Sequence, residues 1–104
     1  MDFITVIVTA PDEDTAKNIA LSLVEERFAG CVNIIRGVRS IYSWEGRIED
    51  DTEVMMVIKT KKRLFEQLSS RIAELHPYSV PEIIALPILQ GSSDYLKWLD
   101  EVTL

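Results

Sequence analysis

Two rhythms of apolar residues run through the chain, one with the period of a strand and one with the period of a helix. Phe3 to Thr9 is a nearly continuous, β-rich apolar run, which predicts a central strand covered on both faces. Pro11-Asp12-Glu13-Asp14 breaks it. Asp12 suits a helix N-cap, and Glu13 and Asp14 suit the positive end of the helix dipole. Ala16, Ile19, Ala20, Leu23 and Val24 then fall at i, i+3, i+4, i+7 and i+8, one face of a helix, with Gly30 as its expected stop. Cys31 to Trp44 reads as a long strand bent or bulged at Arg36-Gly37. Beyond the bend, Val38, Ser40, Tyr42 and Trp44 share one face. Glu45-Gly46 is a candidate two-residue hairpin turn. The return strand runs from Arg47 to near Thr60, weakened early by Glu49-Asp50-Asp51 and strongly apolar from Val54 to Ile58.

Thr60 is the expected cap of a second helix, which turns Leu64, Phe65, Leu68, Ile72 and Leu75 inward and stops at Pro77. A last strand is expected within Val80 to Gln90, where Pro81 and Pro87 confine it to a sheet edge or a bulge. Ser92-Ser93-Asp94 caps a short final helix with Tyr95, Leu96, Trp98, Leu99 and Val102 at its apolar positions. The order is β-α-β-β-α-β-α. Two interleaved, right-handed β-α-β crossovers make this an α+β, ferredoxin-like βαββαβ domain with a C-terminal helix. It has a four-stranded antiparallel sheet, helices on one face and a long β-hairpin. Residues 1–104 form one domain.

The hairpin is too long for its domain. A strand from residue 32 to 44 has about 13 residues and spans roughly 43 Å at about 3.3 Å per residue. A compact chain of this size has a diameter of about 34 Å. The arm therefore overhangs, with Tyr42 and Trp44 near its tip. Either a partner subunit packs on it and on the proline-marked edge strand, or the strand bends at Gly37 and folds back over the core. Edge-strand logic favours the partner.

Composition narrows the function classes. The net charge is −6, which leaves no basic footprint for nucleic acid or an anionic membrane. Hydrophobic residues make up 47% of the chain, so it folds around a packed core. Cys31 is the only cysteine, which rules out an intrachain disulfide. No stretch is long and apolar enough to span a bilayer, and no lipidation or targeting signal stands out, so a cytoplasmic location is expected. There is no nucleophile elbow, Walker loop or dinucleotide-binding glycine motif, and the chain is read as a non-enzyme.

Several short motifs, in this order, are specific in combination. They are Thr9-Ala10-Pro11, Ala29-Gly30-Cys31-Val32-Asn33, Ser40-Ile41-Tyr42-Ser43-Trp44-Glu45-Gly46, Glu53 with Lys59-Thr60, His76-Pro77-Tyr78 with Val80-Pro81-Glu82, and Tyr95-Leu96-Lys97-Trp98-Leu99. Over nearly its full length the chain resembles the CutA divalent-cation tolerance family. The resemblance implies a ferredoxin-like fold and a homotrimer whose sheets join edge to edge around a threefold axis. It implies a part in tolerance of copper and other divalent metals, with Cu(II) or another divalent cation as the bound species and no firmly attached enzymatic activity. A likeness to trimeric signalling proteins of the PII type is structural. Where some members carry a cysteine before the threonine of the first strand this chain has Val8, and where some carry a second histidine it has Leu75.

The candidate site residues follow from chemistry. His76 is the only histidine, and its imidazole suits Cu(II) or Zn(II). With the Cys31 thiol and the Glu82 carboxylate it would make a mixed N/S/O metal set, if the fold or a trimer interface brings them together. The alternatives are a histidine capping the helix C-terminus and a cysteine that is a small buried hydrophobe. Lys59, in a strand, is expected to point into a cleft with Glu53 and Glu82 as counter-charges. With Tyr78 it would hold a small anionic ligand at a subunit cleft. Lys61, Lys62 and Arg63 either hold an anion with the backbone donors at the start of the second helix or form a solvated basic face, and surface statistics favour the second. Tyr42, Trp44, Tyr78 and Trp98 serve either a small-molecule cleft or a subunit interface.

Overall fold

The structure is a computed structural model that describes residues 2–104. The first strand, β1 (Phe3–Ala10), turns Ile4, Val6, Val8 and Ala10 into the core. The first helix, α1 (Glu13–Glu25), starts at the expected cap, where the Asp12 carboxylate accepts the Thr15 N–H at 2.8 Å. Ala16, Ile19 and Leu23 are buried, whereas Val24 is exposed. Eight residues advance about 80° past a whole number of turns, which carries Val24 off the face that Ala16 begins.

Gly30 does not stop this helix. Arg27 does, in the left-handed region at φ 64°. The Arg27 N–H donates to the Val24 carbonyl and the Phe28 N–H to the Leu23 carbonyl, a Schellman closure usually made with glycine. Arginine holds the strained position through its guanidinium, which donates to the carbonyls of Glu101, Val102 and Thr103. Gly30 is needed for closeness instead. A Cβ there would meet Leu99 Cδ1 at 2.5 Å and Val102 Cγ2 at 3.0 Å.

The hairpin joins β2 (Cys31–Trp44) to β3 (Arg47–Lys61). Its turn has Glu45 at φ 49° and Gly46 at φ 77°, the paired positive angles of a type I′ turn. Register shifts between Ile35 and Val38, where Gly37 sits at φ 72°, so the bulge falls where the sequence places it. Thr60 is not a helix cap. It lies in β3 with its side chain in the core, and its hydroxyl donates to the Phe28 carbonyl at 2.6 Å. The chain instead enters α2 (Phe65–Leu75) through a 3₁₀ turn (Lys62–Leu64), with no side-chain cap. Leu64, Leu68 and Ile72 are buried as expected. His76 leaves the helix in extended geometry, as the residue before Pro77 must.

The last strand, β4 (Ile83–Pro87), is shorter than the apolar run suggests: Pro81 lies before it, and Pro87, opposite Ile4, is its last paired residue. The final helix, α3 (Ser93–Val102), is capped by Ser92, whose hydroxyl accepts the Tyr95 N–H at 3.3 Å. Among its apolar residues Leu99 alone is fully buried, while Tyr95 and Trp98 remain exposed. The antiparallel sheet has the order β2-β3-β1-β4, the ferredoxin-like arrangement. The core lies between one sheet face and the helices, with Val6, Val8, Met56, Ile58, Ile19, Leu23, Leu68 and Ile72 at its centre. On the opposite sheet face Ile35, Ile84 and Leu86 are about half exposed. The molecule measures 44 × 25 × 22 Å, the long axis expected from an overhanging hairpin.

Candidate functional site

The corner after α2 is fixed by His76. Its Nε2 lies 2.8 Å from the Thr9 carbonyl, and its Nδ1 is 3.1 Å from the Tyr78 amide. An amide can only donate and a carbonyl can only accept. The ring is therefore the neutral tautomer protonated at Nε2, with both nitrogens occupied. The side chain is 7% exposed and its ring stacks at a tilt on Tyr78, 4.6 Å between centroids. This clamp aims Tyr78 across the end of the sheet, where its hydroxyl donates to Glu53 Oε2 at 2.7 Å. Burial, together with the hydrogen bond and negative charge of Glu53, pushes the Tyr78 phenol well above its ordinary pKa.

The hairpin supplies the facing wall. The Tyr42 hydroxyl donates to Asp51 at 2.6 Å, and that bond, then desolvation and the neighbouring carboxylates, pushes its pKa up to about 12. Arg39 forks onto both oxygens of Asp50 at 2.9 and 2.7 Å. Between the corner and the hairpin lies a cleft of about 690 Å³. Tyr42, Trp44, Glu53, Tyr78 and Glu82 line it, with Val38, Ile41, Met55 and Val80 as its apolar walls. Glu53, Tyr78 and Glu82 thus meet, as the sequence reading expects of a cleft.

Lys59 does not join them. It stands six residues from Glu53 along β3, about 20 Å at about 3.3 Å per residue. Its ammonium is bonded to Asn33 Oδ1 and lies 3.9 Å from Cys31 Sγ. An anion held between Lys59 and Glu53 is therefore not available within one chain. The three expected metal ligands also stay apart. Cys31 pairs with Lys59 and so lies opposite Thr5, whereas His76 is bound at Thr9, about 13 Å further along the sheet. Among the described residues no three His, Cys, Asp or Glu side chains converge to hold a metal ion. His76 could ligate only through Nδ1, by giving up the Tyr78 amide while Nε2 keeps Thr9.

The sequence reading missed two features. Tyr42 and Asp51 were legible as a pair, because a two-residue turn at Glu45-Gly46 makes Tyr42 face Glu49 and places Asp51 on its diagonal. Lys61 is buried rather than solvated. Its ammonium pairs with Asp100 at 3.0 Å and donates to the carbonyls of Thr103 and Leu104. Only the packing of α3 over that end of β3 creates this site, and no local pattern announces it.

The fold and cleft define a small ferredoxin-like domain with a long hairpin and an acidic, aromatic cleft along it. The model of the family described as CutA1 divalent ion tolerance protein matches residues 4–102, and the chain belongs to that family. It is 50% identical over 98 residues to the divalent-cation tolerance protein CutA of Thermus thermophilus, covering 94% of this chain and 95% of that one. It is 50% identical over 96 residues to human protein CutA, of which it spans 54%. The chain thus has about half the length of the human protein. Its fold superposes on the Thermus thermophilus CutA1 structure with TM-score 0.95 at 48% identity, covering 98% of this chain and 99% of that one. For Oryza sativa CutA1 the TM-score is 0.97 at 41% identity, covering 100% and 95% of the two chains.

Proposed function

We propose that the chain acts as a cytoplasmic homotrimer in divalent-metal tolerance, with copper foremost, by binding rather than catalysis. The observation that carries the assembly is the hairpin arm. Ile41 and Ile48 near its end are 64% and 77% exposed, the edge strand adds Ile84 and Leu86, and the segment after it adds Leu89. Apolar surface of this kind marks an interface, and threefold closure would give each arm an edge to pack on. Because no set of three His, Cys, Asp or Glu converges among the described residues of one chain, a copper site would draw on more than one copy. The Cys31 thiol, which is not in a disulfide, and the exposed Glu82 carboxylate are the groups that would serve. Sedimentation equilibrium at low micromolar concentration should return three times the 11.8 kDa chain mass. Titration with Cu(II) should show binding that Cys31→Ser and Glu82→Gln weaken. A monomer, or copper binding indifferent to both substitutions, would refute the proposal.

The cleft favours a second reading, a trimeric small-molecule sensor. Its volume of about 690 Å³ and mixed apolar and polar lining suit a small organic ligand.

A further inference from the structure

The cleft contains a carboxylate whose charge has no partner. Glu53 is 5% exposed, and among the described residues its hydrogen bond comes from the neutral Tyr78 hydroxyl. No ammonium or guanidinium of the described residues stands within salt-bridge distance of it. Arg39 lines the same cleft, but its fork is spent on Asp50. Glu82 adds a second negative charge to the lining. A buried charge left alone is costly, so a cation from outside the chain would stabilise this arrangement.

The kind of cation follows from the walls. The hydroxyls of Tyr42 and Tyr78 already donate to Asp51 and Glu53, so the two residues offer the cleft their rings. Trp44 adds a third ring. Aromatic faces are electron-rich and attract organic cations. A hard divalent ion would need several converging oxygens, and no three acidic side chains converge here. An anion would meet Glu53 and Glu82. We propose that this cleft binds a protonated alkyl amine, its ammonium on Glu53 between the Tyr42, Trp44 and Tyr78 rings and its chain along Val38, Met55 and Val80. This rests on the reading of the cleft as a small-molecule site and fixes its ligand class.

Trp44 serves as reporter once Trp98, exposed on α3, is replaced by phenylalanine. Into this otherwise full-length protein n-butylammonium chloride is titrated, followed by Trp44 fluorescence and by calorimetry, with sodium acetate as the anion arm. Saturable binding of the amine is expected at micromolar to millimolar concentration. Glu53→Gln should weaken it about tenfold or more, the loss of a charge-assisted hydrogen bond, and Glu101→Gln on α3 should leave it unchanged. If Glu53→Gln fails to assemble, Trp44→Phe and Trp44→Ala are compared by calorimetry. The phenylalanine should keep most of the affinity and the alanine should lose about threefold or more. Amine binding indifferent to Glu53→Gln, or to Trp44→Ala where that pair is used, overturns the proposal. Acetate binding in place of the amine also overturns it but keeps the cleft as a small-ligand site. No binding of either probe at millimolar concentration overturns both.

Discussion

Replacing His76 by alanine separates a histidine that holds the fold from one that holds a metal. The wild-type ring donates to the buried Thr9 carbonyl at 2.8 Å and accepts the Tyr78 amide at 3.1 Å. Removing it leaves the Thr9 carbonyl without its donor, a loss of about 1–3 kcal/mol for a buried acceptor. The Tyr78 amide sits in a more open place, and its lost bond costs about 0.5–1.5 kcal/mol. The ring contact with Tyr78 adds about 0.5–1.5 kcal/mol. The expected total is about 2–6 kcal/mol, reaching into the tail of single-residue effects. Urea unfolding followed by circular dichroism, at one fixed protein concentration and with a chelator present, measures it. The concentration must be fixed because assembly adds its own stabilisation. A change below about 1 kcal/mol in chelator, with a large loss of copper affinity, would refute the structural reading and restore His76 as a ligand.

Three further outcomes test other parts of the molecule. Lys61→Met keeps the aliphatic stem but removes the donor to Thr103, Leu104 and Asp100. Arg27 and Arg63 still donate to the first two, so the loss should be about 1–3 kcal/mol by urea unfolding, with amide exchange rising first in α3. Gly30→Ala drives a Cβ to 2.5 Å from Leu99 Cδ1 and should cost about 1–3 kcal/mol by displacing α3, read in the same assay. The chain's three tyrosines are all held above the ordinary phenol pKa, Tyr42 up to about 12. The stability this confers is therefore complete below about pH 10, the unfolded value, and is lost as pH rises through the folded values. An alkaline titration should show tyrosinate absorbance appearing only above the ordinary phenol range, together with unfolding.

The element order and the hairpin were readable because each rests on local rules. Alternation marks the strands, Asp12 and Ser92 are strong caps, and Glu45-Gly46 has the residues that a type I′ turn accepts. What misled were positions whose local chemistry has two uses. Thr60 looks like a cap, but strand pairing with Ile4 carries its hydroxyl into the core, where Phe28 needs a donor. Gly30 looks like a helix stop, but its small size serves α3, more than sixty residues later. The site was legible as a set of names and not as a set of neighbours. Glu53, Tyr78 and Glu82 meet because the hairpin bulge and the His76 corner face one another. Lys59 and Cys31 fall at the far end by sheet register alone, which depends on a pairing of β1 with β3 that no short window contains.

Cleft and arm are not independent. Tyr42 and Trp44 form one cleft wall, and they stand on the part of the hairpin that overhangs the core. In a lone chain that wall is held by the two-stranded arm, and two-stranded ribbons are marginal on their own. Neighbouring copies packed on the arm would fix the wall and so raise affinity for whatever the cleft binds. By linkage the same ligand would tighten the assembly by the same factor. In such an oligomer a cleft along the arm would couple occupancy to assembly without any further device. The buried Glu53 is the point where that coupling would begin, since among the described residues no cation matches its charge and a bound ammonium would.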